Sequence, residues 1–433
     1  RSVAIVERDL VGGECSFYAC MPSKALLRPG ELLDEVARVP GAAEALDGGG
    51  VHVAEALARR DEVVHDRDDS AQLPWLQERG VTIVRGSARF EGERRVRVGD
   101  LVLEAREAVV VATGSGAFLP PIPGLAEVRP WTNREVTTTS DVPRRLVVLG
   151  GGVVGVEMAQ AWRSLGSEVA VIEGGPRILA REEAFASEQV AAALAERGVE
   201  LHTGRQATRA RRDDDGTITV QLGGPDGGGS VSGDRLLVAV GRRPNTTDLG
   251  LETIGLEPGR SIAVDDALRV DGHDWLYAIG DVNGRVLLTH MGKYQGRIAA
   301  DNILGAGDER VEVDGLRSPR VIFTDPQVAA VGHTLASALD AGIAAEAIDL
   351  PTSGTAGGSF VGRGAPGTSR FVVDRSGGVL VGATFVGPEV SDFLQAATIA
   401  IVAAVPIARL VHAVAPFPAR SEIWLKFLEA YES

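Results

Sequence analysis

Cysteine is nearly missing from this chain: Cys15 and Cys20 are its two copies in 433 residues, too few to staple a fold with disulfides. Histidine is scarce as well. Its seven copies show no ligand-like spacing, so no metal site is expected. No apolar run reaches the roughly 20 residues needed to cross a bilayer. The nearest candidate, Ala396 to Ala408, contains Pro406 and reads as a buried interface helix. No export signal is legible at the start, and a cytoplasmic protein is the expectation. Positive charge is in deficit: 44 Lys and Arg against 59 Asp and Glu leave a formal charge of −15. An acidic surface of this kind repels nucleic acid and anionic membranes, so neither is an expected partner. What is present is a chain 44% hydrophobic and long enough for roughly three domains.

An internal echo sets the architecture. Leu146-Val-Val-Leu149 is an apolar run of buried-strand type, followed by the glycine turn Gly150-Gly-Gly-Val-Val-Gly155. A helix is expected over Val156 to Leu165, then a second strand, Val169-Ala-Val-Ile172, ending on Glu173. A strand, a GxGxxG turn carried by Gly150, Gly152 and Gly155, a helix, a strand and an acid roughly 20 residues on form a dinucleotide-binding fingerprint. The opening residues repeat its second half, since Ser2-Val-Ala-Ile-Val-Glu7 mirrors Glu168-Val-Ala-Val-Ile-Glu173. The ends of the two units echo too, Val109-Val-Val-Ala-Thr-Gly114 against Leu236-Leu-Val-Ala-Val-Gly241. At matching spacing, the glycine turn of the first unit falls before residue 1, so that unit is expected to lack its first strand and glycine turn.

The expected fold class is α/β: two Rossmann-like nucleotide-binding domains and a C-terminal α+β domain. Leu119-Pro-Pro-Ile-Pro-Gly124 is a stiff connector. The glycine- and acid-rich stretch Asp213 to Gly233 holds a short strand, Ile218 to Leu222. Past Val311, β-type runs at Arg320 to Phe323, Arg370 to Val373 and Val379 to Val386 precede two helices, about Val390 to Ala404 and Ser421 to Tyr431. The boundaries read as 1–120, 121–245, a central segment 246–310 that returns to the first domain, and 311–433.

The chemistry is concentrated in Gly12-Gly13-Glu-Cys15-Ser-Phe-Tyr-Ala-Cys20-Met-Pro-Ser-Lys24. Two cysteines five residues apart point to redox chemistry or metal binding. Five residues of regular helix advance about 7.5 Å, beyond the roughly 7 Å Cα separation that a disulfide spans. If the sulfurs bond, Cys15 therefore sits in a turn or distorted first turn, and Cys20 falls near a helix N-terminus that favours thiolate. Two buried free thiols, or half a metal site, are the alternatives.

This motif, after a strand ending in Glu7, resembles that of the pyridine nucleotide-disulfide oxidoreductases, the dihydrolipoamide, glutathione, mycothione and mercuric reductases. The resemblance covers essentially the whole chain. Tyr277-Ala-Ile-Gly280-Asp281 is similar to the family's second flavin motif, and Val321-Ile-Phe-Thr-Asp-Pro326 with Val331-Gly332 to the opening of its dimerisation domain. The resemblance implies FAD, a nicotinamide cofactor, a homodimer and a small-molecule acceptor. By it, Glu7 binds the FAD ribose, Thr113 and Gly114 line the FAD site, and Asp281 meets the ribityl chain. Cys20 lies beside the flavin and Cys15 exchanges with substrate. Lys24 approaches the flavin and pairs with Glu157. Gly12, Gly13, Gly241 and Gly280 complete the candidate cofactor-binding set. Glu173 favours NAD(H) over NADP(H), because its carboxylate repels a 2′-phosphate; Arg177 nearby works against that preference.

One motif departs from the family. Its C-terminal His-Pro, with glutamate four positions after the proline, reads here as Phe417-Pro418 with Glu422 retained. Phenylalanine cannot move a proton, so exchange needs another group or water. His412, five residues earlier, is the catalytic candidate for that role, set against a simply packed side chain. Phe at this place resembles 2-ketopropyl coenzyme M oxidoreductase/carboxylase, although Glu422 departs from that enzyme's pattern. Mercuric reduction calls for extra C-terminal cysteines and lipoamide oxidation for the missing histidine, so both are set aside. The leading reading is transfer from NAD(P)H through FAD to Cys15–Cys20 and then to a disulfide or other acceptor. A NADH:quinone-type diaphorase, a carboxylating relative and an FAD-poor fragment or scaffold are the alternatives.

Overall fold

A computed structural model describes residues 2–224, 227–365 and 367–432. The chain divides into two compact units, one built from residues 1–22, 61–118 and 241–315, the other from 23–60, 119–240 and 316–433.

In the first unit the strand Val3–Glu7 pairs in parallel with Val81–Arg85, Glu7 opposite Arg85. A short helix, Gly13–Phe17, follows. Ala88–Gly92, Arg95–Val98 and Leu101–Glu104 form an antiparallel meander. Val109–Val111 runs parallel to Leu276–Ala278, and Ser115–Ala117 antiparallel to Arg242–Pro244. These pairings bring Thr113 and Asp281 to the same end of the unit. Phe90, Val111, Leu251, Trp275, Leu276 and Val282 form its core, with Phe90 and Trp275 edge to face at 6.1 Å.

The second unit holds a four-stranded parallel sheet, ordered Glu200–Thr203, Glu168–Glu173, Arg145–Leu149, Arg235–Val238. Its central strand is buried on both faces, as Leu146, Val147 and Val148 are fully covered, which is why the sequence there is a continuous apolar run rather than an alternation. The helix Val153–Ser164 packs Val156, Ala159 and Trp162 on this sheet. It starts three residues before the position expected from the apolar pattern, because Gly152 already serves as its N-cap. A fully buried valine such as Val156 contributes about 1.5–3 kcal/mol, and Ala159 less. Ser23 to Arg38, most of the helix Cys20–Arg38, also belongs to this unit and buries Leu26 and Leu27 in the same cluster.

The C-terminal part is a five-stranded antiparallel sheet, ordered Arg320–Ile322, Gln327–Gly332, Val379–Gly387, Thr368–Asp374, Ala345–Pro351. Two of these strands, Gln327–Gly332 and Ala345–Pro351, go beyond the three β-type runs of the sequence reading. The first is buried at every position and so shows no alternation. Phe427, from the helix Ile423–Glu432, stacks on Phe371 of the sheet at 4.3 Å. The stretch expected as one helix from Val390 is a 3-10 turn, Val390–Phe393, running into a helix Leu394–Val402. No helix among the described residues is long and apolar enough to cross a membrane.

Candidate functional site

Cys15 and Cys20 form a disulfide with their Cα atoms 4.8 Å apart. Cys15 lies within the five-residue helix Gly13–Phe17, which ends at Tyr18, and Cys20 opens the next helix. The break at Tyr18 and Ala19 shortens the five-residue step enough for the sulfurs to meet. The Cys20 sulfur also lies 3.7 Å from the Thr289 hydroxyl, the first residue of the helix Thr289–Leu304.

The loop before Cys15 is pinned from several directions. Glu7 accepts from the Asp9 N–H at 2.8 Å. Asp69 accepts from the Val11 N–H at 2.5 Å and from Arg85 at 2.6 Å, while Arg85 also donates to the Asp9 carbonyl at 2.7 Å. The Val11 N–H, together with Arg85 and against the effect of burial, holds the Asp69 carboxyl below the usual carboxylate range. Gly12 and Gly13 are exposed, both with positive φ. Glu14 pairs with Arg242, whose Nε donates to the Ser115 hydroxyl at 2.7 Å. Ser115 in turn donates to Asp281 at 2.5 Å. Thr113 and Asn245 exchange hydrogen bonds of 2.9 Å, and Asn245 donates its own N–H to the Gly114 carbonyl at 2.9 Å. Gly280 donates to Gln295 at 2.8 Å, and the Gly241 carbonyl accepts from the Phe118 N–H at 3.0 Å. Glu7, Gly12, Gly13, Cys15, Cys20, Thr113, Gly114, Gly241, Gly280 and Asp281 thus all fall in the first unit.

The remaining candidates lie in the second unit. Lys24 makes a 2.6 Å ion pair with Glu157 and stands over the Phe323 ring at 4.9 Å. The other Glu157 oxygen accepts from the Phe323 N–H at 2.9 Å. Gly150 and Gly155 are required by close packing: a Cβ on Gly155 meets the Gly150 carbonyl oxygen at 1.9 Å, and one on Gly150 meets the Ala239 carbonyl oxygen at 2.5 Å. Gly152 caps the helix Val153–Ser164 without any side-chain hydrogen bond, and a Cβ there meets nothing within 4 Å. Helix-terminal amides beside open space fit a pyrophosphate. Glu173 accepts from the Gly151 N–H at 2.7 Å and the Gly175 N–H at 2.6 Å. Arg177 donates to the carbonyls of Leu179, Ala180 and Glu182.

In the C-terminal sheet domain, Phe417 is 79% exposed and His412 is exposed as well, contrary to the packed alternative for that histidine. Glu422 is buried and accepts from the Gly357 N–H at 3.2 Å and the Ala419 N–H at 3.3 Å. Sequence reasoning missed Asp69, Arg242, Ser115 and Thr289. Glu14 was visible as a charge next to Cys15, but nothing local marked its partner.

A family profile described as pyridine nucleotide-disulphide oxidoreductase matches residues 1–296, and the family's dimerisation domain matches 318–427. The chain is 34% identical over 413 residues to a dihydrolipoyl dehydrogenase of Haloferax volcanii, covering 92% of this chain and 84% of that one. It is 30% identical over 423 residues to a mercuric reductase of Bacillus cereus, covering 97% of this chain but 66% of that relative's length. Among solved structures, LpdA of Mycobacterium tuberculosis superposes with a TM-score of 0.85 at 26% identity, over 100% of this chain and 93% of the other. The HOCl-induced flavoprotein disulfide reductase RclA of Escherichia coli has the same fold, with a TM-score of 0.85 at 24% identity over 99% and 93% of the two chains. A pair of cysteines joined ahead of a helix, a glycine turn between strand and helix and a C-terminal sheet domain thus coincide with matches along nearly the whole sequence, and the chain belongs to the pyridine nucleotide-disulphide oxidoreductase family.

Proposed function

We propose that this chain passes electrons from NADH through FAD to the Cys15–Cys20 disulfide and on to a small-molecule acceptor, acting as a homodimer in the cytoplasm, where NADH is available. The observation that carries the reading is the disulfide itself, between the only two cysteines of the chain. FAD, when bound, supplies the two-electron relay between nicotinamide and sulfur. The balance is NADH, one proton and the disulfide giving NAD⁺ and two thiols.

The residues have separate tasks in this reading. Glu7, Gly12, Gly13, Thr113, Gly114, Gly241, Gly280 and Asp281 hold the flavin. Gly150, Gly152 and Gly155 receive the nicotinamide dinucleotide's pyrophosphate. Glu157 orients Lys24 through the 2.6 Å pair. Cys20 is the sulfur nearer the flavin, and the Thr289 hydroxyl 3.7 Å away offers it a hydrogen-bond partner. Cys15 exchanges with the acceptor.

The preference for NADH is supported by Glu173. Two backbone N–H donors hold its carboxylate, and the hydrogen bonds of Arg177 go to carbonyl groups. No cation among these contacts offsets the repulsion of a 2′-phosphate. Exposed Ile399, Val414 and Phe417, in the stretch matched as a dimerisation domain, support a second copy as partner. With Phe417 where an imidazole is expected, the acceptor is one whose reduction proceeds with water or another weak acid as proton donor.

Anaerobic NADH addition followed by acid quench and thiol counting tests the reading. Two new thiols per chain are expected. Flavin that bleaches with no thiol gained would instead support a NADH:quinone-type diaphorase, the reading that Phe417 also favours. Cys15→Ser separates the two functions: disulfide reduction falls by more than about 100-fold if Cys15 is the attacking sulfur, while quinone reduction persists.

A further inference from the structure

We propose that Glu14 and Arg242 act as a compensated charge pair that positions Cys15, each charge cancelling the other's effect on the ionisation of its thiol. The two residues are 228 positions apart, Glu14 between Gly13 and Cys15 and Arg242 directly after Gly241. Glu14 directly precedes Cys15 in the helix Gly13–Phe17, so their Cα atoms lie about 3.8 Å apart. Its carboxylate accepts from Arg242, on the strand Arg242–Pro244. Both side chains are mostly covered, at 21% and 24% exposure.

Arg242 is itself fixed. Its Nε donates to the Ser115 hydroxyl at 2.7 Å, its Nη2 donates to the Ser115 carbonyl, and its Nε lies 3.7 Å from Asp281. The loop carrying Cys15 is therefore tied through one guanidinium to the flavin-site aspartate. The pair places one negative charge on the residue adjoining Cys15 in the chain and one positive charge on that residue's partner. A carboxylate next to a thiol opposes its ionisation and a guanidinium favours it, so together they nearly cancel. Other titratable or charged groups on the elements meeting this loop are Glu7, Arg8, Asp9, Tyr18, the Cys20 thiol freed with Cys15, Asp69 with Arg85, Arg243, Asp281, and His290 next to Thr289. All of them are common to the variants below and drop out of the comparison.

The importance of this pair for turnover rests on the proposed exchange role of Cys15, but its test does not. The isolated protein, chemically reduced with a phosphine, is alkylated with iodoacetamide across pH. The label on Cys15 is quantified by peptide mass spectrometry. Glu14→Gln is expected to raise the acid dissociation constant of Cys15 about threefold, and Arg242→Gln to lower it about threefold, for a charge roughly 7 Å away in a water-like medium. The double variant returns close to the parent value, and Arg242→Lys, which keeps the charge, stays closer to the parent than Arg242→Gln. Opposite signs are the signature of charge; a merely structural pair moves both single variants in the same direction. If both single variants shift the same way, or neither shifts, the proposal is overturned, whatever the protein does with NADH. If Arg242→Gln does not fold, Glu14→Gln against Glu14→Asp decides the matter: a parent-like value is expected for Asp, and equal shifts for the two overturn the proposal.

Discussion

Lys24 Nζ lies 2.6 Å from Glu157 Oε2, joining a side chain four residues past Cys20 to the buried face of the helix Val153–Ser164. Glu157 is 3% exposed and its second oxygen is used by the Phe323 N–H. The carboxylate is thus satisfied on both sides, and Lys24 supplies its countercharge in this pair. Replacing Lys24 by Met leaves a buried charge without that partner. A fully buried pair broken this way costs roughly 3–5 kcal/mol. Because Lys24 keeps a third of its side chain in solvent, a loss of about 2 kcal/mol is expected. The Lys24→Met/Glu157→Gln double variant should recover more than half of it in urea unfolding. Recovery of nothing would mean the pair does not couple the two residues.

Glu173 is held by the N–H groups of Gly151 and Gly175. Glu173→Gln keeps its shape and an acceptor oxygen while removing the charge. The ratio of kcat/KM for NADH over NADPH is expected to fall about tenfold, the equivalent of ~1.4 kcal/mol. An unchanged ratio would show that the charge of Glu173 does not discriminate between the two dinucleotides.

Asp69 has a lowered carboxyl pKa because the Val11 N–H and Arg85 favour its charged form. A group whose folded-state value is depressed adds stability above its unfolded value, near 4, and loses it as pH falls through the folded value. The melting temperature of Asp69→Asn is therefore expected to lie a few degrees below that of the parent at pH 7. The gap should close once pH has fallen below that lowered folded value. A gap equally wide at both pH values would show that the charge of Asp69 is not what holds the Val11 loop.

Phe417 can neither donate nor accept a proton. Phe417→His supplies a group that titrates near pH 6.5. Disulfide reduction by the dimer is expected to rise at least about tenfold at pH 7 to 8, with a new limb in the pH–rate profile near that value. A profile without the limb, at unchanged rate, would show that position 417 does not reach the exchanging thiol.

Much of this site is legible in the sequence where the chemistry is local. The turn Gly150–Gly155 stands out because a backbone approach of this kind excludes any side chain: a Cβ on Gly155 meets a carbonyl oxygen at 1.9 Å. The cysteine spacing shows that a continuous helix cannot join the sulfurs, and the chain does break between the two helices. Strand limits were less legible where burial covers both faces, as in Gln327–Gly332, because periodicity vanishes there.

Legible in the sequence by itself were the cysteine pair and its spacing, the glycine turn Gly150–Gly155, the acids Glu7 and Glu173 that end their strands, and the identity of Phe417. Each of these depends on residue identity and short spacing, which local sterics and hydrogen bonding translate directly into backbone shape. Only the tertiary structure decided which distant groups meet them. Arg242 reaches Glu14 across 228 residues, Asp69 reaches Val11 across 58, and Glu422 holds Gly357 across 65. Such pairings follow from strand order and packing, and a charged or polar residue carries no mark of a distant partner until the chain has brought the two together.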